Sequence, residues 1–411
     1  MNQAVAGRLA LIIVMILTAG AALAEPAAVT LPADPPAVRK VELLEQWRIG
    51  GEDDEDILLG VIFDAKIGPT GDVYLIDRQL SQVLVISPEG ELVTTLGRQG
   101  EGPGELNNPH GLVLLADDKV GVIQGFPGKV TVLNPDDTPG GEIHIGGNPE
   151  DGGFNFVRVL VRCGDHLVGQ RGRATFDMET AKSVSVGTLS IMDLEGRDQA
   201  VIAEHTQEND MQRRVFDEKA QFSEMDTWAA GGADCVLYTA PVRDEYVINV
   251  RGMDGVLTRV MTRPFETRQR DEDDKAAMTD GMVIVMNGVR QEVENKALDT
   301  DPAIMGMHVA DDGRLFVRTC YDQEDNLPEG TAGRFDVYSL QGEFLEQLSV
   351  IVPGFIGEQD RLIFMDGNHF AVIRSFDQAQ QSMFAGFDDG EEEEEDLGDA
   401  EPLEVVFYKI P

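Results

Sequence analysis

Apolar and polar residues alternate along many short segments of this chain. The repeat is every second residue, which is typical of a β-strand that buries one face and exposes the other. Six such segments are QVLVIS (82–87), KVTVLN (129–134), GTLSIMD (187–193), EYVINV (245–250), RFDVYSL (334–340) and EVVFYKI (404–410). Their recurrence predicts an all-β chain built from a repeated unit.

Turn residues mark the boundaries of this unit. The first turn occurs six times, at Gly71/Asp72, Asp117/Asp118, Gly164/Asp165, Asp234, Asp312/Gly313 and Asp366/Gly367. A second set of turns follows the alternating segments, at 87–90, 134–137, 193–196, 252–255 and 339–342. Gly, Asp and Asn suit these places because tight hairpins need residues that tolerate positive φ. Each of six units is therefore predicted to hold four antiparallel strands.

The sixth unit lacks its fourth strand, because the chain stops at Pro411 directly after the third. Residues 43–49 (LLEQWRI) precede the first unit and look like the fourth strand of the fifth unit, FLEQLSV (344–350). An N-terminal strand that completes the last sheet would join the two ends of the chain. Such closure removes open sheet edges, which otherwise promote aggregation.

The repeated unit resembles the blades of six-bladed β-propellers of the NHL-repeat type. The segment 64–146 carries the resemblance best, over about two blades, and the later blades are recognised mainly by their turns. The resemblance implies a six-bladed β-propeller over residues 41–411, preceded by a Pro/Ala-rich linker over 25–40. It implies no particular activity, because the same ring hosts unrelated functions.

One long insertion interrupts the repeat between blades 4 and 5, from Pro264 to Pro302. Within it, the stretch DEDDKAAMTDGMVIVMNGVRQEVENKAL (271–298) has an acidic first turn and helical spacing in its second half, so the sequence predicts a partly helical segment over one mouth of the ring. Propellers bind ligands on the face built from such connections. The insertion either contributes to specificity or caps apolar blade ends, and the sequence leaves both open.

The glycine-rich segment 96–112 (LGRQGEGPGELNNPHGL) could be a phosphate cradle or a bend. Gly100 and Gly102 begin a G-x-G-x-x-G pattern, but Glu105 occupies the third glycine position and a strand follows instead of a helix. We therefore predict a connection between two blades. The stretch GEGPGEL also resembles the inter-blade linker of a group of secreted bacterial propellers.

Two residues of this segment are the metal-binding candidates. Glu101 lies in an EGP sequence similar to the motif by which gluconolactonase-type propellers place a glutamate on a divalent ion. His110 is a candidate because the NHL-type amidating lyases hold a zinc ion with histidines from separate blades. The six histidines are scattered and carry no zinc-site spacing. The sequence predicts no cofactor, and it leaves calcium or zinc as the alternative.

Acidic runs occur at 51–56, 270–274 and 387–401. Blocks of like charge repel and stay solvated, so we predict solvated loops there, the last one flexible. Carboxylates also suit calcium, but the D-x-[DN]-x-[DN]-G spacing is missing. A calcium-responsive structural role stays open.

The N-terminus predicts export. Residues 1–24 combine Arg8, an apolar stretch too short to span a membrane and an A-x-A site, so we expect a signal peptide cleaved after Ala24 and a periplasmic or secreted protein without stable membrane insertion. Cys163, Cys235 and Cys320 are too few for a disulfide scaffold. One disulfide is possible on this count, and three buried thiols are the favoured interpretation.

Charge narrows the choice of partner. The chain has 74 Asp and Glu against 33 Lys and Arg, a formal net charge of −41. Nucleic acid is therefore an unsuitable partner, because its binding depends on cations that neutralise phosphates. No serine lies in G-x-S-x-G. The sequence favours a non-catalytic binding platform for a protein, peptide or glycan, with a metal-dependent hydrolase or lyase in the central channel as the alternative.

Overall fold

The computed structural model of this protein describes residues 25–52, 57–145, 153–210, 215–279, 284–286, 289–291, 293–323, 327–385 and 402–411. These residues form a six-bladed β-propeller, as the sequence predicts. Each blade has a core of four antiparallel strands. The acidic run 387–401 and most of the run at 51–56 lie outside the described residues.

The first half of the chain contains three N-terminal strands and blades 1 to 3. The N-terminal strands are β1 (Ala27–Thr30), β2 (Val38–Glu42) and β3 (Leu44–Gly50). Blade 1 contains β4 (Ile62–Ile67), β5 (Val73–Asp77), β6 (Gln82–Ile86) and β7 (Leu92–Leu96). Blade 2 contains β8 (Pro109–Leu114), β9 (Val120–Gln124), β10 (Lys129–Leu133) and β11 (Pro139–His144). Blade 3 contains β12 (Phe154–Cys163), β13 (His166–Asp177), β14 (Lys182–Met192) and β15 (Asp198–Asp210).

The second half adds blades 4 to 6 and three short helices. Between blades 3 and 4 lie β16 (Val215–Asp217) and α1 (Glu218–Gln221). Blade 4 contains β17 (Trp228–Gly231), β18 (Val236–Thr239), β19 (Val247–Arg251) and β20 (Leu257–Thr262). The insertion contains α2 (Glu272–Ala277), β21 (Ile284–Met286), β22 (Val289–Gln291) and β23 (Glu294–Lys296). Blade 5 contains β24 (Ile304–Val309), β25 (Leu315–Thr319), a 3-10 turn (Cys320–Gln323), β26 (Thr331–Tyr338) and β27 (Phe344–Ile351), and blade 6 contains β28 (Arg361–Phe364), β29 (His369–Arg374), α3 (Phe376–Ala385) and β30 (Glu404–Lys409).

The hydrophobic core is divided into six clusters, one between each pair of neighbouring blades. The strand faces that alternate in the sequence supply these clusters, so each blade packs on both sides. The hairpin turns lie where the sequence predicts them. At Asp117 and Asp118 the φ angles are 58° and 54°, the two consecutive positive values that a tight two-residue hairpin turn requires.

The ring is closed by the N-terminal strand, which confirms the prediction from residues 43–49. Strand β3 pairs antiparallel with β30, with Ile49 opposite Val405. The Trp47 ring stacks on Phe407 at a centroid distance of 4.9 Å. Blade 6 is therefore built from both ends of the chain.

The segment that precedes this strand is more than a linker. The sequence predicts a linker over 25–40, yet β1 adds a parallel fifth strand to blade 4 and β2 adds one to blade 5. Leu31 and Leu43 follow these strands and are only 5% and 3% exposed. The burial of these two side chains explains why the segment is held against the ring despite its prolines. We call residues 27–50 the strap, because they cross the outer edges of blades 4, 5 and 6.

The cysteines correct the favoured interpretation of three free thiols. Cys163 and Cys235 form a disulfide, with Cα atoms 5.3 Å apart. It joins the first hairpin of blade 3 to the first hairpin of blade 4. Cys320 is free and buried. Sequence spacing could not reveal the pair, because 72 positions separate the partners and only the ring brings the hairpins together.

The insertion is partly helical, as predicted, but its helix lies in the other half. Helix α2 begins at the acidic residues, where Asp271 and Asp274 form a capping box. The described part of the second half forms the short strands β21 to β23 instead of a helix. Val and Ile are frequent there, and these β-branched residues favour strands over helices.

We predict that the strap contributes strongly to stability. The change Leu43→Ala should lower the free energy of unfolding by about 2–4 kcal/mol, because it leaves a cavity between blades 5 and 6. Arg39→Ala is the control, since Arg39 donates to Glu346 at 2.8 Å in a partly exposed pair and its loss should cost less than about 1 kcal/mol. Urea unfolding of residues 25–411 measures both. Equal losses for the two variants would contradict a packed strap.

Candidate functional site

Blade 3 rises above the rest of the ring. Its strands contain 10, 12, 11 and 13 residues, whereas those of blade 1 contain five or six. At about 3.3 Å per residue, the extra length carries the sheet roughly 15 Å or more beyond its neighbours. The first hairpin, between Cys163 and His166, stays at the level of the other blades, so the extension stands on the face where the inter-blade connections lie.

One row of residues across this extension shapes its inner surface. The register places Phe156, Gly172, Gly187 and His205 side by side on the four strands. A Cβ at Gly172 would overlap the Phe156 ring, and a Cβ at Gly187 would overlap the Met225 side chain. The two glycines therefore make room for the apolar side chains that cover them.

A cavity of about 440 Å³ lies against this surface. Its other walls come from the connection between blades 3 and 4 and from the start of β24. These walls contain the apolar residues Phe216, Phe222, Met225, Pro302, Ile304 and Met305, and the polar residues Glu218, Gln221 and Arg243 lie among them. The polar groups Ser185, Gln207, Asp226 and Thr227 also line it. A concave site that combines apolar walls with polar groups is typical of ligand pockets.

Arg158 enters the cavity from a β-bulge. In the pairing of β12 with β13, Val157 lies opposite Arg171 and Val159 lies opposite Gln170, so Arg158 has no partner in register. Bulges redirect side chains and are frequent next to functional sites. The Arg158 guanidinium lies over the Phe156 ring at 5.9 Å and, among the described residues, forms no ion pair.

His110 supports this bulge from blade 2. Its Nε2 lies 3.0 Å from the carbonyl oxygen of Arg158. Burial lowers the pKa of His110, which favours the neutral imidazole and a proton on Nε2 donated to that carbonyl. The histidine that the sequence singles out as a metal candidate therefore holds the backbone of a cavity residue.

Two further polar groups of the cavity lack partners within the described part of the chain. Gln170 is only 8% exposed, and its side-chain amide forms no hydrogen bond there. The Nε2 atom of His205 is buried without a hydrogen-bond partner. Buried polar groups are normally satisfied, so these two groups are available to a polar partner in the cavity.

A chain of ion pairs fixes the walls behind the cavity. Glu218 binds both Arg243 and Arg270, and Arg270 in turn binds Asp301 at 2.6 Å. Arg268 bonds the other oxygen of Asp301 at 2.5 Å and also binds Asp274 of the acidic run 270–274. Together these six residues connect α1, α2 and the loop after β18. Part of that acidic run is therefore committed to arginines.

The electrostatics of Glu218 follow from this network. Burial acts to raise the pKa of Glu218, but hydrogen bonds from Arg270, the Leu298 amide and Arg243 outweigh it and hold the pKa below its ordinary value of 4.5. The carboxylate accepts from Arg270 and from the Leu298 amide at 2.7 and 2.8 Å. It stays charged at neutral pH and holds α1 in place at the cavity wall.

The glycine-rich segment is a connection between β7 and β8, as predicted. The Gly100 amide donates to the Leu106 carbonyl, and Leu106 is fully buried. The Gly102 amide donates to the Glu105 carboxylate at 2.8 Å, so the chain's own anion occupies the amide a phosphate would use. Glu101 is exposed, and its carboxylate lies 3.4 Å from the Asn107 amide.

Within the described residues, no group of three or more His, Cys, Asp or Glu side chains is placed to hold a metal ion, and Glu101 and His110 form no such group. The calcium and zinc alternatives therefore stay predictions.

None of the helices in the described part of the chain is long and apolar enough to cross a bilayer.

Sequence reasoning missed most of the cavity. The alternation of β13, β14 and β15 runs on well beyond the five or six residues of an ordinary blade strand, and this length was a readable signal for the extended blade. The bulge at Arg158 and the pairing of Gly172 with Gly187 carry no such signal, because both depend on strand register.

No family model matches the sequence, and no curated protein matches it significantly. Several solved structures are similar in fold. A Bacteroides fragilis protein provisionally described as exported has 11% identity and a TM-score of 0.47, covering 94% of this chain and 100% of its own. A gluconolactonase from Xanthomonas campestris has 12% identity and a TM-score of 0.37, covering 94% and 99%. Virginiamycin B lyase from Staphylococcus aureus has 10% identity and a TM-score of 0.35, covering 79% and 80%.

We predict that Glu218 stabilises the fold in a pH-dependent way. Glu218→Gln should lower the free energy of unfolding at pH 7 by about 3 kcal/mol, because two buried arginines lose a shared partner. Since the folded-state pKa lies below 4.5, the stabilisation is complete above that pH and is lost as pH falls through the folded value.

Urea unfolding at pH 7 and at successively lower pH measures this effect. The difference between wild type and Glu218→Gln should narrow on acidification. The control Glu195→Gln removes a carboxylate from an exposed pair with Arg197 and should change stability little at any pH. A difference that widens in acid would overturn the assignment.

We also predict that the row of glycines is essential to the cavity wall. Gly172→Ala should cost about 1–3 kcal/mol, because the methyl group displaces the Phe156 ring. Gly306→Ala is a matched control, since its nearest neighbours would lie 3.8 Å away. Thermal melting compares the two variants. A neutral Gly172→Ala would show that Phe156 does not rest on this glycine.

Proposed function

We propose that this protein is an exported six-bladed propeller of the NHL-repeat type that serves as a non-catalytic binding module. Its ligand is a protein segment, peptide or glycan. One observation carries the proposal, the cavity between the raised wall of blade 3 and the connection from blade 3 to blade 4. Its apolar walls and its unpartnered polar groups are what a recognition site needs.

The composition of the cavity supports binding over catalysis. Ser185, His205 and Asp226 all line it, but no hydrogen bond joins any two of them within the described residues. Nucleophilic catalysis needs a base in hydrogen-bond reach of the nucleophile. The remaining polar groups are amides, arginines, the Thr227 hydroxyl and Glu218, whose carboxylate is bound by two arginines.

Export is supported by two independent features. Residues 1–24 have the composition of a signal peptide. The disulfide between Cys163 and Cys235 fits an oxidising compartment outside the cytoplasm. We therefore place the site in the periplasm or the medium, where peptides and glycans of the envelope are the available partners.

We predict that a bulky residue at the cavity abolishes binding. Peptide libraries and glycan arrays would be screened against wild type and Gln207→Trp, in which an indole on β15 obstructs the cavity. Gln199→Trp is the matched control, because it places the same change at the opposite, exposed end of β15. We expect ligands that bind wild type and Gln199→Trp but lose at least tenfold in affinity with Gln207→Trp.

Two results would count against the proposal. Ligands that bind all three proteins equally would place recognition elsewhere on the ring. Ligands that mass spectrometry recovers chemically altered after incubation with the protein would indicate an enzyme instead of a binding module.

A further inference from the structure

We propose that the cavity selects ligands that end in a carboxylate attached to an apolar group. This inference rests on the proposed binding function and names the chemistry of the ligand. The terminal carboxylate lies at the bulge of β12, and the apolar group extends between the aromatic walls.

The hydrogen-bond donors at the bulge of β12 bind the carboxylate end of the ligand. Arg158, Gln170 and Arg171 all line the cavity, and the bulge lies opposite the step from Gln170 to Arg171. Arg158 forms no salt bridge among the described residues, although the Asp226 carboxylate of the same lining attracts it from a longer distance, and the Gln170 amide has no hydrogen bond there. Arg171 donates to Asp198 through one nitrogen only. A planar guanidinium and a neighbouring amide match the two oxygens of a carboxylate.

The charge of the cavity contrasts with that of the whole chain. Acidic residues outnumber basic ones by 74 to 33 overall, yet the lining contains three arginines and two acids. One acid, Glu218, is committed to two arginines. The other, Asp226, accepts the Ser223 amide at 2.7 Å, and burial raises its pKa while the nearby Arg158 guanidinium acts to lower it. Of the three arginines, Arg171 is paired with Asp198 and Arg243 with Glu218 and Asp244, so Arg158 is the lining guanidinium that has no salt bridge in the described part of the chain.

The apolar walls of the cavity bind the apolar end of the ligand. Phe156, Phe216, Phe222, Met225 and Met305 surround the space beyond the bulge. A volume of about 440 Å³ is near the lower end of the range for small-ligand sites, so it holds one terminal group and not a folded partner. A peptide C-terminus with an apolar last residue and a free acyl acid share this chemistry.

Isothermal titration calorimetry with paired probes tests the inference. The pairs are N-acetyl-Leu-Phe against its C-terminal amide, and decanoate against decanol. Each acid should bind wild type about 10- to 100-fold more tightly than the uncharged compound of its pair. This is the range expected for hydrogen bonds to a charged group. Tighter binding of N-acetyl-Leu-Phe would identify the ligand as a peptide C-terminus. Tighter binding of decanoate would identify it as a free acyl acid.

Substitutions test whether the preference for the acids depends on the bulge. Arg158→Gln should reduce the preference for the acid to less than threefold, and Arg158→Lys should retain part of it because the charge remains. Arg197→Gln, on the outer hairpin of the same blade, should leave the preference unchanged. Melting temperatures equal to that of wild type ensure that a loss reflects the site.

The inference is overturned if neither acid binds or if the uncharged amide and alcohol bind as tightly as the acids. It is also overturned if Arg158→Gln still prefers the acids. Its failure is distinct from failure of the proposed function. Ligands without a carboxylate that are lost in Gln207→Trp would leave the binding module intact and remove only this assignment.

Discussion

The pairing of β3 with β30 is the constraint on which the rest of this structure depends. Every blade packs against two neighbours, so the six apolar clusters exist only while the ring is closed. The pairing is reinforced by the Trp47 ring on Phe407 and by Arg48, which donates to Glu404 at 3.0 Å. Without this seam, the strands of blade 6 would lack their outer neighbour and blade 1 would lose one of its two packing faces.

A rigid ring also explains how an irregular site can be maintained. Blade 3 extends beyond its neighbours, and its raised part packs mainly against connections and not against another blade. The extension is held because its lower half is fixed in the ring and because the ion pairs around Glu218 and Arg270 tie the facing segments together. The cavity is thus a product of two regular features, strand length and ring closure.

Much of the fold could be predicted from the sequence, because strand alternation and turn residues are local signals. The six first turns, the inter-blade nature of the glycine-rich segment and the closing strand follow from such signals. The strap was harder to foresee, since Val29 and Leu31 lie among prolines that are typical of linkers. The disulfide, the bulge at Arg158 and the role of His110 were not predictable, because each depends on residues that only the ring brings together. The helix in the insertion was placed in the wrong half, where helical spacing and β-branched residues gave opposing signals.

The strap has a consequence for how the molecule is made. Arg48 and Glu404 meet across the seam although 356 positions separate them in the chain. Contacts between such distant residues are slow to form, because closing the long intervening loop costs conformational entropy before the contact stabilises the structure. Strand β3 must therefore wait for β30, the last strand of the ring. A chain interrupted before residue 404 would keep the outer strand of blade 6 unpaired, with its backbone groups open to other chains.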